Sequence, residues 1–121
     1  MDNYDIPKIT SKELKEALDA GKEFVIIDNR PPAQYREEHI PGAINIHLNT
    51  TGDPFERQLT FMSLPADKPV VVYCDCSDES GSLQMASEIR NYRYEIKDVS
   101  ALILGISQWK GLGYPVAQSE S

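Results

Sequence analysis

The sequence predicts an α/β domain in which helices cover both faces of a central, mostly parallel sheet. Three observations carry that expectation. Two short, continuous apolar runs, Phe24–Asp28 (FVIID) and Val70–Cys74 (VVVYC), have the pattern of strands buried on both sides. Helical patterns closed by glycine or proline alternate with strand-like runs, as in βαβ units. The length, 121 residues, suits a single domain with a sizeable core. One domain over 1–121 is therefore expected, with its core at about 8–117.

Taken in order, Thr10-Ser11-Lys12-Glu13 fits a capping box. Leu14, Ala17 and Leu18 then share a helical face, and Gly21 sits where a glycine stop belongs. Phe24–Asp28 is a buried strand ended by Pro31-Pro32, and Ala33–His39 offers one helical turn or two. Pro41-Gly42 reads as a type II turn before a short strand at Ala43–Ile46. Asn49–Pro54 is loop, and Phe55–Leu64 reads as helix with Leu59, Met62 and Phe61 facing inward. Val70–Cys74 is the strongest strand, followed by a loop and a helix marked by Leu83, Ala86 and Ile89, which Ser80 or Ser82 would cap. Tyr94–Val99 reads as a strand, Ile106–Leu112 as a short helix carrying Trp109 into the core, and Ala117–Ser121 as a frayed polar tail.

Composition excludes several function classes. A net charge of -7 disfavours nucleic acid or an anionic membrane as the main partner. No apolar run is long enough to span a bilayer, and MDNYDIPKIT lacks the basic and apolar parts of a secretory signal, so a cytoplasmic location is expected. Cys74 and Cys76 are read as reduced thiols in a reducing compartment. A metal site on Cys74-x-Cys76 would need His39 and His47, which belong to another segment, so no metal is expected.

The stretch VVVYCDCSDESGS, residues 70–82, carries the chemistry. A thiol at the carboxyl end of a buried strand, just before a helix, meets backbone N–H groups that favour a thiolate. In open α/β sheets this edge is where ligands bind. A C-x5-R phosphatase is not expected: six residues after Cys74 is Ser80, six after Cys76 is Ser82, and the next arginine is Arg90.

Five pieces in order resemble a single rhodanese domain over nearly the whole chain. They are ITSKELKEALDAG at 9–21, Asp28-Asn29-Arg30, YREEHIPGAINI at 35–46, the strand, loop and helix at 70–89, and LGISQWKGLGYPV at 104–116. The resemblance implies a rhodanese-like α/β fold and a cysteine persulfide, with no cofactor. It also implies transfer of sulfane sulfur from a donor to a thiol, cyanide or protein acceptor. Aligned without a gap on the following helix, the family pattern C-x-x-G-x-R-S places its serine on Ser82 and its nucleophile on Cys76, with Cys74 as the alternative. Ser77, Asp78, Glu79, Ser80, Gly81 and Ser82 then form the substrate-binding loop, and Asp28 and Arg30 support it.

Two positions depart from the family pattern: Glu79 replaces its glycine and Gly81 its arginine. With Asp75 and Asp78, the loop is acidic, which disfavours both thiolate and dianionic donors such as thiosulfate. The reading is a sulfurtransferase of the thiosulfate type with poor use of thiosulfate itself. The alternative is a catalytically weak rhodanese-like module for protein binding or sulfur carriage.

Overall fold

The computed structural model describes residues 6–47, 59–74 and 80–118. The expected loop at Asn49–Pro54, the residues Asp75, Cys76, Ser77, Asp78 and Glu79, and the last residues 119–121 lie outside them. The sheet has five strands: β1 (Lys8–Ile9), β2 (Val25–Asp28), β3 (Ile44–Asn45), β4 (Val70–Tyr73) and β5 (Val99–Leu102). They lie in the order β1-β5-β4-β2-β3, and every pairing is parallel. Four helices are α1 (Ser11–Asp19), α2 (Pro32–Glu37), α3 (Ser80–Tyr92) and α4 (Gly105–Gly111), and residues 59–62 are helical as well.

β4 occupies the middle of the sheet, and all four of its residues are buried. Its side chains alternate between two cores. Val70 and Val72 join Leu83, Met85, Ala86 and Ile89 of α3, together with Phe61 and Leu64. Val71 and Tyr73 join Leu14 of α1 and Ile106 and Trp109 of α4 on the opposite face. Each buried Val or Leu contributes about 1.5–3 kcal/mol relative to exposure, which is why an uninterrupted apolar run selects the central position.

The local signals that carry a specific chemical interaction hold closely. Thr10 Oγ1 accepts from Glu13 N–H at 3.0 Å while Glu13 Oε1 accepts from Thr10 N–H at 2.9 Å, completing the capping box. Gly21, at φ 91, ends α1 with Gly21 N–H on Leu18 C=O and Lys22 N–H on Ala17 C=O, both at 3.0 Å. Gly42, at φ 86, closes the Ile40–Ala43 turn with a 3.0 Å hydrogen bond. Trp109 is buried, and its indole N–H donates to Pro115 C=O at 2.7 Å.

Four expectations are corrected. The last strand is Val99–Leu102, not Tyr94–Val99: Tyr94 is 84% exposed, and the chain leaving α3 uses a turn closed by Ile96 N–H on Arg93 C=O before it rejoins the sheet. Leu59 and Met62 face solvent, and Phe61 with Leu64 fills the core, so the inward face of that segment is rotated from the expected one. Ala117 is not frayed, because its N–H and C=O pair with His39 in an antiparallel bridge. Ser80, Gly81 and Ser82 belong to the first turn of α3 rather than to the preceding loop. Among the described residues no helix is long and apolar enough to cross a membrane.

Candidate active site

The carboxyl edge of the sheet is held by a buried polar network centred on Asp28, the last residue of β2. Its Oδ1 accepts the Arg30 backbone N–H at 2.8 Å and Arg30 Nε at 3.1 Å; its Oδ2 accepts Arg30 Nη2 at 2.8 Å. The same Nη2 donates to the Glu38 carbonyl, tying the end of α2 to β2. Tyr73, the last residue of β4, donates its hydroxyl to Asp28 Oδ2 at 2.7 Å and accepts Ile40 N–H at 3.1 Å. Burial pushes the Tyr73 phenol far above its ordinary range, and the Asp28 charge beside it adds to the shift. Tyr35 is raised by the same two causes in the same order. Asn45 Nδ2 closes the edge by donating to the Asp28 and Arg30 carbonyls at 3.0 and 2.8 Å.

Asp28 and Arg30 thus pair with each other, and Asp28 also accepts the Arg30 backbone N–H. Tyr73 and Asn45 are members of the network that sequence reading passed over. A signal for Tyr73 was present: a phenol at the end of an apolar run needs a partner for its hydroxyl. His39 stays in the turn, stacked on Tyr35 at 4.0 Å with Nδ1 2.7 Å from the Tyr35 carbonyl oxygen. Among the described residues no group of three His, Cys, Asp or Glu side chains stands ready for a metal ion.

Two backbone contacts fix the end of β4 next to this network. Tyr73 C=O accepts Asn29 N–H at 2.8 Å, and Cys74 C=O accepts Ile106 N–H at 3.2 Å. The second contact follows a sharp turn in which Leu104, at φ 61, leads into α4. Cys74 is partly buried, and its Sγ lies 3.8 Å from the Ser82 hydroxyl oxygen, within reach of a thiol hydrogen bond. Ser82 is itself fully buried, inside α3. α3 runs 13 residues, so its first turn presents helix N–H groups and the positive end of a macrodipole at this edge. On the side of α2 and α4, a cleft of about 300 Å³ is lined by Arg30, Glu38, Ser107 and Lys110 among others.

The arrangement sets a partly buried thiol beside a helix start that favours an anion. Cys76 and Ser77–Glu79 lie outside the described residues, while Cys74, Gly81 and Ser82 are brought together with Asn29 at one edge.

The profile of the rhodanese-like domain matches residues 10–112. An HTH-type transcriptional regulator of Mycobacterium tuberculosis, Rv0324, is 33% identical over 109 residues, covering 89% of this chain and 43% of that protein. Human M-phase inducer phosphatase 1 is 38% identical over 61 residues, 50% of this chain and 12% of the phosphatase. The probable adenylyltransferase/sulfurtransferase MoeZ of M. tuberculosis is 35% identical over 68 residues, 54% of this chain and 16% of MoeZ. The chain therefore spans less than half the length of these relatives. Among solved structures, a rhodanese-like domain from Anabaena superposes with a TM-score of 0.74 at 26% identity, covering 93% of this chain and 79% of that one.

Proposed function

This chain belongs to the rhodanese-like domain family, and on that premise we propose that it is a sulfurtransferase carrying sulfane sulfur on Cys76. In the first half-reaction the Cys76 thiolate attacks the outer sulfur of a donor. The donor's S–S bond breaks, and its leaving group departs with the electron pair. In the second, a thiolate or cyanide attacks the outer sulfur of the Cys76 persulfide and regenerates the thiolate. Nothing is oxidised overall, and no cofactor takes part. The N–H groups at the start of α3 favour negative charge on the sulfur. A reducing compartment such as the cytoplasm would keep the thiols ready.

The observation that carries this reading is the Tyr73-Cys74 strand end tied to the first turn of a long helix, with no arginine in that turn. A phosphate-binding loop needs a guanidinium there, and the first arginine of α3 is Arg90, close to its far end. That difference favours sulfur transfer over the phosphoryl chemistry in the name of the phosphatase relative. The name of MoeZ gives independent support. The contact of Cys74 with buried Ser82 favours a packing role for Cys74 and leaves Cys76 as nucleophile. The test is mass spectrometry after incubation with a sulfane-sulfur donor. Wild type and Cys74→Ser should each gain one sulfur on Cys76, and Cys76→Ser should gain none. Loading that survives Cys76→Ser and is lost in Cys74→Ser moves the nucleophile to Cys74. No loading in wild type leaves a binding module.

A further inference from the structure

The edge of the sheet where the strands begin, opposite the cysteines, holds a second cavity of about 330 Å³. Pro7, Phe24, Pro69 and Asp98, the residues immediately before β1, β2, β4 and β5, all line it. The backbone there is already committed. The Pro7, Pro69 and Asp98 carbonyls accept the N–H groups of Ala101, Val25 and Val70 at 3.0, 2.8 and 2.8 Å, and neither proline brings an N–H. What this edge offers a ligand is therefore side-chain chemistry. Ile9, Phe24 and Val99 supply apolar surface continuous with the two cores. Lys22, Arg90 and Lys97 set three cations on the wall against one acid, Asp98, in a chain whose net charge is -7. The Lys22 ammonium lies over the Phe24 ring, 5.5 Å from its centroid. Among the described residues neither Lys22 nor Lys97 has a carboxylate partner, Asp98 included. Lys22 follows α1 and Arg90 stands in the last turn of α3, where a cation complements a helix C-terminus. Lys97 ends no helix, and that complementarity requires no cavity.

We propose that this cavity binds a small organic monoanion, a carboxylate carried on an apolar body about the size of one ring. Lys22 and Lys97 hold the carboxylate, and the ring lies against Ile9, Phe24 and Val99. The volume is at the lower end of the roughly 300–1,000 Å³ of small-molecule sites, which limits the body to a small one. A single negative charge fits better than two. Asp98 and the carbonyl ends of α1 and α3 oppose further negative charge, so a second anionic group gains little from the same cations. A neutral body of the same shape keeps the apolar contact and forgoes both ammoniums. The site lies at the opposite end of the strands from Cys74, and the proposal stands whether or not the chain transfers sulfur.

The experiment titrates the full chain with phenylacetate and follows backbone amide resonances, with phenylacetamide, acetate and inorganic phosphate as comparison probes. Phenylacetate should shift the amides of Phe24, Val99 and Ser100 saturably and leave those of Asn29, Tyr73 and Cys74 in place. Phenylacetamide, which lacks the charge, and acetate, which lacks the ring, should each bind about fivefold more weakly or less. Lys22→Gln and Lys97→Gln should each weaken phenylacetate about threefold, and the double variant about tenfold. Both lysines are exposed, so urea midpoints read through Trp109 should stay near that of wild type and show that the variants fold. No saturable shift with phenylacetate overturns the proposal, as do shifts confined to the cysteine edge. Equal binding of phenylacetamide, phosphate binding as tightly as phenylacetate, or wild-type affinity in the folded double variant overturns it equally.

Discussion

Tyr73→Phe should be among the most destabilising conservative changes in this chain, although it removes a single oxygen. That hydroxyl donates to Asp28 Oδ2 at 2.7 Å and accepts from Ile40 N–H at 3.1 Å, and all three residues are fully buried. Phenylalanine leaves the Ile40 N–H without an acceptor, a cost of about 1–3 kcal/mol. It also removes a hydrogen bond to a charged group, worth about 1.5–3 kcal/mol net, while Arg30 continues to hold the carboxylate. The two effects share one oxygen and do not add fully, so about 3 kcal/mol is expected, a large part of the roughly 5–15 kcal/mol that a domain possesses. Tyr35→Phe is the internal control. Its hydroxyl makes one half-buried bond, to Ala43 C=O at 2.7 Å, and its loss should cost about 1 kcal/mol. Urea unfolding followed through Trp109, which is 1% exposed, reports both. A Tyr73→Phe penalty no larger than that of Tyr35→Phe would refute the assignment of this hydroxyl as the link between β2, β4 and the Ile40 turn.

Alkaline pH should expose the same network. Tyr73 is raised above its ordinary value of 10.0, so above that pH the unfolded chain releases a proton that the folded chain keeps. Stability is therefore fully present below pH 10.0 and falls as pH rises beyond it, by up to about 1.4 kcal/mol per pH unit for this group. Urea midpoints measured from neutral to strongly alkaline pH should show a shallower decline in Tyr73→Phe than in wild type, and parallel curves would show that Tyr73 does not supply the slope. At the site, Asp78→Asn with Glu79→Gln should raise the second-order rate with thiosulfate, more at low salt, because each unit charge within about 4 Å opposes the dianion by about 1 kcal/mol even in water. No rise in stopped-flow loading would mean that these acids point away from the donor.

Much of the fold was legible because its signals are local or strongly buried. The Thr10–Glu13 box, the Gly21 stop, the Pro41-Gly42 turn and the Val70–Tyr73 run each hold in the structure. What failed depended on partners distant in sequence. Val99–Leu102 reads weakly because Ser100 interrupts it, and it becomes a strand by lying between β1 and β4. Tyr94, with strong strand preference, is left outside because the chain spends that stretch returning from α3. Leu59 and Met62 are as apolar as Phe61 and Leu64, and only the orientation of the segment against α3 and β4 decides which pair is buried. At the edge of the sheet, Asp28 and Arg30 were recognisable through the resemblance to the family, whereas the Tyr73 hydroxyl acquires meaning only when β2 and β4 meet.

The strand order also governs when the molecule can assemble. At the edge of the sheet β1 pairs with β5, Lys8 lying opposite Ala101 and Ile9 opposite Leu102. A chain emerging from the ribosome must therefore hold its first strand unpaired until nearly all of the domain has been made. β2 and β3 meet after a much shorter wait, and β4 can then dock on β2. The edge that arrives first in sequence is thus closed last, and α1 has its α4 partner only after Trp109 has been synthesised. Long-range parallel closure of this kind slows folding and prolongs exposure of β1 and of the β4 edge that awaits β5. Shortening the chain beyond Leu102 leaves Leu14 without Ile106 and Trp109 against it, so the order of synthesis sets when this core can close.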